Sequence, residues 1–522
     1  MRYLNSKKDP VQTQPPAELV KEQLSPHIQE NIDMLSGVLQ GCSDVVIKEF
    51  KFGESHIRGL MIFMDGLTDR KEVENNLLKP LLLELNMQKR DSELEGGEVL
   101  NIIKENILPL ADLKVLETMQ ELCHHLTSGD TVFLIDGSAN GLVAGTRSWQ
   151  GRPVQSPENE IVVFGPKEGF TETLRFNTAL LRRRIKSTTL KIESMVIGRI
   201  SKTDVVVCYI DSIAPPQLVE EVKKRLGKID IDAVLDTGYL AELIADNKWT
   251  IFTQTEHTEK PDRVCGQLLE GKVCIMVDGS PMALVVPISF PEYMISPEDY
   301  YIHFIPASLF RMLRFIAFFL ALLAPSLYVA VITYHHEMIP TPLLLTIAAT
   351  RQGVPFPAFV EALLLDATFE LLREAGLRLP RAVGPAVSIV GALIIGDAAV
   401  RAGLVSTPMV VIVAFTGIAS FVNPSYNAGI IIRIARFGFL FAAGMLGFLG
   451  IIIGLILMAL RMASLSSFGL PYLSPLAPFN LSYMGDIVVR RPWFASRKRP
   501  YMEGMKDEIR QSFENHDGSK KT

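Results

Sequence analysis

The sequence predicts an α/β cytosolic region of two related subdomains, followed by an all-α multi-span membrane domain. Three observations carry that prediction: an uneven distribution of charge, a hairpin pattern that occurs twice, and a set of long uncharged apolar runs. The 522 residues are 48% hydrophobic and 21% charged, with mean hydropathy +0.24 and net charge -5. That length implies several domains, and positive mean hydropathy beside an ordinary charge content implies that they do not share a solvent. From Arg311 to Pro475, 165 residues hold ten arginines, six acidic residues and no lysine, whereas the other 357 hold 42 basic and 51 acidic residues. Residues 1–310 carry a net charge of -12 and the tail after Pro475 carries +3. An acidic large region lacks the basic face of a nucleic-acid binder, so no nucleic-acid partner is expected.

Residues 1–26 are polar, contain Pro15 and Pro16, and are read as a flexible leader. They have no apolar core, so no cleaved signal peptide is expected and the large region stays in the cytosol. The first subdomain is assigned to residues 27–150. Asp44 to Phe50 and Ile57 to Met64 read as strands, Asp69 to Leu78 as a helix, and further amphipathic helices are expected up to His125. Gly129 to Trp149 then places β-rich runs around an Asp-Gly-Ser turn, which is hairpin chemistry. Gly271 to Ser289 repeats the pattern, with Gly129 matched by Gly271 and Asp136-Gly137-Ser138 by Asp278-Gly279-Ser280, all at an offset of 142. The second subdomain is therefore assigned to residues 151–305. The paired Asp-Gly steps read as turns, not as an acidic site.

Gly165 to Ser187 lies between the two hairpin copies. It breaks at Gly165-Pro166, offers Thr171 or Thr173 as a helix cap, and ends in Arg182-Arg183-Arg184, which suits a helix C-terminus. The arginine run reads as a solvated face or an interdomain contact. Cys42, Cys123, Cys208, Cys265 and Cys274 form no CxxC pair and no zinc spacing, so they are expected to be reduced, buried thiols. No catalytic grouping, nucleotide loop or metal spacing stands out. No enzymatic activity, cofactor or metal is expected.

About 20 apolar helical residues cross a bilayer. The membrane domain is assigned to residues 311–465, with spans at about 315–334, 382–400, 404–422 and 437–460. Gly444, Gly447, Gly450 and Gly454 in the last run allow close helix packing. Segment 338–376 is read as re-entrant or interfacial, because Met338 to Thr350 is short and Asp366, Glu370 and Glu374 line one helical face, with Glu361 opposite. Arg311, Arg314, Arg401, Arg461 and the basic tail, 466–522, mark the cytosolic side. Four crossings place both termini there. Arg433 and Arg436 would then fall outside.

Three stretches resemble a known family: GPKEGFTETLRFNTALLRRRIKS at 165–187, PSLYVAVITYHHEMIPTPLLLTIAATRQGVPFPAFVEALLLDATFELLREAGLRLP at 325–380 and GPAVSIVGALIIGDAAVRAGLVS at 384–406. They are similar to the A subunit of GerA-type spore germination receptors, and the similarity spans roughly residues 30–500. The resemblance implies a multi-pass protein of the inner spore membrane. It implies work alongside a transporter-like B subunit and a lipoprotein C subunit, and homo-oligomerisation into a cation channel that opens when nutrient is sensed. Paralogues in the family act downstream as ion channels that amplify germination, so both branches are open.

For such a channel, with membrane lipid around it and monovalent cations passing through, Gly384 to Val400 is the candidate pore helix. Its small residues pack closely, Val387, Val390 and Ile394 form apolar constrictions, and Asp397 forms a carboxylate ring. Asp397 is equally read as an ion pair with Arg401 one turn later. Asp366, Glu370 and Glu374 are a candidate outer vestibule, or a face that packs against partner subunits. The competing classes are a secondary transporter, which would need an inverted repeat in the membrane block, and a non-conducting scaffold.

Overall fold

The computed structural model describes residues 23–52, 57–80, 113–147, 162–378, 394–480, 484–500 and 502–511, with the single positions 100, 157, 160 and 391. The first sheet is antiparallel and ordered β1 (Val45–Phe52), β2 (Ile57–Met64), β4 (Thr131–Ile135), β5 (Gly141–Ala144), β3 (Leu113–Leu116). Strand β2 shows why the sheet is a middle layer. Leu60, Ile62 and Met64 pack on Leu35 of α1 (Ile28–Val38) and on Leu122 and Leu126 of α3 (Met119–Thr127), while Met61 and Phe63 pack on Val73 and Leu77. A strand covered on both faces is apolar throughout, and each fully buried large side chain contributes about 1.5–3 kcal/mol. Val73 and Leu77 belong to a π-helical stretch, Val73–Leu78, which continues α2 (Arg70–Glu72); Asp69 caps that helix. Helix α3 starts at a capping box between Thr118 and Glu121.

The second sheet has the same order: β6 (Leu190–Ile197), β7 (Thr203–Ile210), β9 (Val273–Val277), β10 (Ala283–Val286), β8 (Glu256–Thr258). Helices α4 (Leu174–Arg184) and α7 (Pro261–Leu268) cover one face, and α5 (Pro216–Leu226) and α6 (Thr237–Ile244) the other.

The two Asp-Gly turns do the same work in each unit. Gly137 and Gly279 sit at φ 85° and 89°, where a side chain would be strained. The Asp136 carboxylate accepts from the Ile28 N–H at 3.1 Å and the Asp278 carboxylate from the Leu174 N–H at 3.0 Å, so each turn holds the N-terminus of a helix. Just upstream, Asn31 exchanges two hydrogen bonds with Ser25, and Asn177 does the same with Thr171. The segment 165–187 therefore opens the second unit and does not merely link the two.

Two further expectations are corrected in the first unit. Leu113–Leu116, expected to be helical, pairs with β5 as an edge strand. Residues 23–26, assigned to a flexible leader, are packed: Gln23 bridges to Thr118 and Leu24 is 3% exposed. The rest of that leader lies outside the described residues.

Helix α8 (Phe304–Tyr334) leads into the helical region, followed by α9 (Thr341–Arg351), α10 (Ala358–Arg378), α11 (Thr407–Phe421), α12 (Tyr426–Leu446) and α13 (Phe448–Ala463). Among the described residues, α8 and α12 are long and apolar enough to cross a membrane, and α11 and α13 are shorter apolar helices. The expected span 437–460 is not one helix. Gly447, at φ 59°, turns the chain back on itself, so that a Cβ on Gly450 would meet the Ala442 carbonyl oxygen and one on Gly454 would meet the Phe439 ring. Segment 338–376 runs into a helix of 21 residues, Ala358–Arg378, about 31 Å long, the length of a full crossing. The expected span 382–400 lies mostly outside the described residues; its end is a π-helical turn, Ile394–Ala398, followed by Ala399–Arg401.

The described part of the tail does not hang free. Phe290 N–H donates to the Tyr472 carbonyl, Arg499 donates to the Leu269 carbonyl, and Arg510 pairs with Glu270 at 2.6 Å. The described residues of 466–511 are thus bound to the second α/β unit at several points.

Candidate functional site in the helical region

Helices α10 and α12 set four charged side chains against each other, two of them fully buried. Asp366 is 0% exposed and faces Arg436, itself 1% exposed, across 3.3 Å. Arg436 also donates to Glu370 at 3.0 Å, and Arg433 reaches Glu370 at 3.5 Å. Two carboxylates and two guanidinium groups are paired here, with Arg373 of α10 close enough to act on Arg433, Arg436 and Glu370. Burial costs each ion several kcal/mol, which is offset only while its partner stays in place. The rows fit because residues four apart on α10 lie on one face and Arg433 and Arg436 are one turn apart on α12. Glu374 leaves this group and pairs with Arg378 at the surface, at 2.6 Å.

Glu361 organises a second buried site. Its carboxylate accepts from Ser406 N–H at 3.0 Å and Ser406 Oγ at 2.7 Å, and pairs with Arg351 at 3.1 Å. One side chain therefore caps α11 and ties it to α9 and α10. The available signal was an acid on an otherwise apolar helix face, but its partners lie ten residues before it and 45 after it.

Of the candidate pore residues, Val387 and Val390 lie outside the described residues, and Ile394 sits in the π-helical turn. Asp397 is half exposed and pairs with Arg401 at 2.7 Å, four residues on. Arg433 and Arg436, expected on the outer side, are partners of Asp366 and Glu370 between α10 and α12.

A third cluster joins the helices to the α/β region. Asp299, fully buried, receives Arg311 at 2.9 Å and Arg314 at 2.8 Å, and Arg311 also reaches Asp486 of the tail at 3.2 Å. Tyr300 donates to Asp486 at 2.9 Å, with its ring beneath Arg311 and Arg490. A cavity of about 600 Å³ opens beside this knot; two of its charged pairs, Lys272 with Glu292 and Arg510 with Glu270, neutralise each other.

In the α/β region the sequence-expected thiols are free. Four are buried and Cys42 is partly exposed. Burial pushes Cys123 up to about 11 and Cys265 up to about 12, and raises Cys208 and Cys274 as well, so all four are neutral and unreactive. Arg182 proves to be an interdomain contact: it is 1% exposed and pairs with Asp44 of the first unit. Arg183 and Arg184 share Glu168.

The family model described as "Bacillus/Clostridium GerA spore germination protein" matches residues 33–502, which takes in both α/β units and the helical region. The chain belongs to the GerA spore germination family. It is 44% identical to "Spore germination protein KA" of Bacillus subtilis, over 94% of this chain and 89% of that protein. It is 43% identical to "Uncharacterized membrane protein YfkQ" of the same organism, over 91% of each chain. It is 38% identical to "Spore germination protein B1", over 94% of this chain and all of that protein. A crystal structure of the N-terminal domain of the A subunit of the Bacillus megaterium spore germinant receptor GerK3 is 33% identical and covers 52% of this chain and 98% of that one, with a TM-score of 0.42. Within this GerA chain, the buried ion clusters sit on helices that the family match includes.

Proposed function

We propose that this chain is the membrane subunit of a spore germinant receptor and oligomerises into a nutrient-gated cation channel that starts germination. In this reading it is not an enzyme. It sits in the inner spore membrane beside a transporter-like B subunit and a lipoprotein C subunit, with its α/β region and tail on the cytosolic side. One observation carries the membrane reading: Asp366 and Glu370 of α10 pair with Arg433 and Arg436 of α12 between the helices, while the outward faces of α8, α11, α12 and α13 show Phe319, Phe415, Phe441 and Ile456 at 49–58% exposure. A surface of that kind suits lipid and not water. In this reading Asp397, half exposed at a helix end and paired with Arg401, is the residue that meets a passing cation.

The test is conductance of the full chain reconstituted with its partner subunits in a planar bilayer. Potassium current that appears with nutrient, and loses cation preference in Asp397→Asn, supports the channel. A complex that assembles but carries no current favours the scaffold. The downstream amplifying branch is favoured if current flows without the B and C subunits.

A further inference from the structure

The tryptophan that is 96% exposed, Trp249, stands at the boundary between the α/β region and the helical region. It belongs to a short loop, 247–251, pinned at both ends. On one side the Asp246 carboxylate accepts from Phe468 N–H at 2.7 Å, five residues after α13 ends, and pairs with Arg225 at 2.5 Å. On the other side Phe252 is 4% exposed and stacks edge-on against Tyr472 at 6.1 Å. Tyr472 and Phe318 both pack on Phe290, and Phe318 lies within the apolar run of α8. The loop is thus fastened to the feet of two apolar helices, and yet the side chains at its tip, Trp249 and Ile251, turn outward.

We propose that this loop is a membrane-interface anchor, with Trp249 seated among the lipid headgroups of the inner leaflet. An indole has a large apolar face and one N–H donor, and this combination is favoured where hydrocarbon meets water. In bulk water the same exposure forfeits apolar burial. Continuity selects lipid over a second copy of the chain. The outward apolar face of α13, with Ile453, Ile456, Leu457 and Leu460 exposed, runs down to Arg461 and then to the 464–468 turn on which the loop is pinned. Lys248 and Arg461, both exposed within a few residues of that contact, supply cations for anionic headgroups. The anchor fixes the height of the second α/β unit against the membrane, so movement of α8 and α13 is transmitted to it without slack.

This inference rests on the reading that the apolar helices cross a bilayer, and the experiment separates the two. The chain has three tryptophans. With Trp149→Phe and Trp493→Phe, the full chain is reconstituted into phosphatidylglycerol–phosphatidylcholine vesicles whose acyl chains are brominated near the headgroup. A companion variant removes Trp249 as well and carries Phe319→Trp on the outward face of α8. Trp249 is expected to lose emission in brominated vesicles and to be shielded from iodide. Loss from the Phe319→Trp probe but none from Trp249 overturns the anchor and leaves the membrane reading standing. Loss from neither overturns both. Shielding from iodide without loss to bromine places a second copy over the loop and also overturns the proposal. The difference spectrum between the unmodified chain and Trp249→Phe alone gives the same reading with the other two tryptophans intact.

Discussion

Replacing Arg182 by Met tests whether the two α/β units are held by a buried charge. Arg182 Nε and Nη2 donate to the two Asp44 oxygens at 2.7 and 2.9 Å, and Nη1 donates to the Ser187 carbonyl at 3.0 Å. The two side chains are 1% and 3% exposed, so water cannot replace a lost partner. Removing one member of such a pair costs about 3–5 kcal/mol, because the other is left charged and buried. An exposed pair in the same unit, Arg58 with Glu49 at 39% and 56% exposure, is worth only about 0.2–1 kcal/mol and serves as the internal comparison. The assay is hydrogen exchange of the intact chain, read at β1 and β6 on either side of the junction. In Arg182→Met both strands should open more easily, by about 3–5 kcal/mol, while Arg58→Met leaves them within about 1 kcal/mol. The double variant Asp44→Leu with Arg182→Met should cost less than Arg182→Met alone, since no orphaned charge remains. A single variant within about 1 kcal/mol of the parent, or a double variant equal to the sum of the singles, would refute the reasoning.

Two other perturbations follow from packing and protonation. A leucine at Gly450 would place its Cβ 2.0 Å from the Ala442 carbonyl oxygen, whereas a Cβ at Gly438 of the same hairpin meets nothing within 4 Å. Gly450→Leu should therefore lower the melting temperature of the detergent-solubilised chain, and Gly438→Ala should leave it unchanged or raise it; equal behaviour would remove the hairpin contact. In the first unit, burial alone would raise the Asp130 carboxyl, but hydrogen bonds from Arg147 at 2.6 and 2.7 Å and from His125 at 2.8 Å hold it below the usual carboxylate range. The unfolded chain then binds the extra proton, so this stability is present above about pH 4 and is lost as pH falls through the folded value. Acid unfolding followed by circular dichroism should be less steep in Asp130→Asn, and an unchanged slope would show that the pair contributes nothing.

What could be read from sequence was whatever is local. The Asp-Gly-Ser turns announced the repeat because a hairpin's turn chemistry lies within a few residues. The first helix of each unit was missed as a repeat, because Asn31 and Asn177 stand 146 apart while the turns stand 142 apart, and no residue type other than the asparagine is shared in those caps. The charge clusters show the other limit. The stripe Asp366, Glu370 and Glu374 was legible as a helical face, yet its partners Arg433 and Arg436 lie more than sixty residues away and only folding brings them together. Arg182 and Asp44 are 138 residues apart and had no local signal beyond the charge run itself. Gly447 was invisible for a different reason. In an uncharged run with five glycines, nothing distinguishes the one at positive φ from the three that pack and the one that meets nothing.

That one glycine alters how the proposed membrane topology is counted. If 437–460 were a single crossing, a further crossing by 358–378 would carry the tail to the far side, against its positive charge. The tail is bound to the second α/β unit through Arg499, Lys506 and Arg510, so tail and α/β region share a side and the number of crossings must be even. The contacts fix the direction of each helix. Gly447 lies against Tyr334 and His335 at the far end of α8, and Gly444 lies against Phe359 at the start of α10, so α10 begins at that far end. Arg373, near the other end of α10, covers the ring of Phe421, where α11 finishes. Gly403, before α11, returns to Gly353 beside the start of α10. In the proposed topology the chain goes out along α8, back along α10, back along α11, out along α12 and back along α13; most of the segment between α10 and α11 lies outside the described residues. Pairing α12 with α13 as a hairpin keeps the tail on the side of the α/β region in that proposed topology, and Arg433 and Arg436 then stand against Asp366 and Glu370 and not in an outer loop.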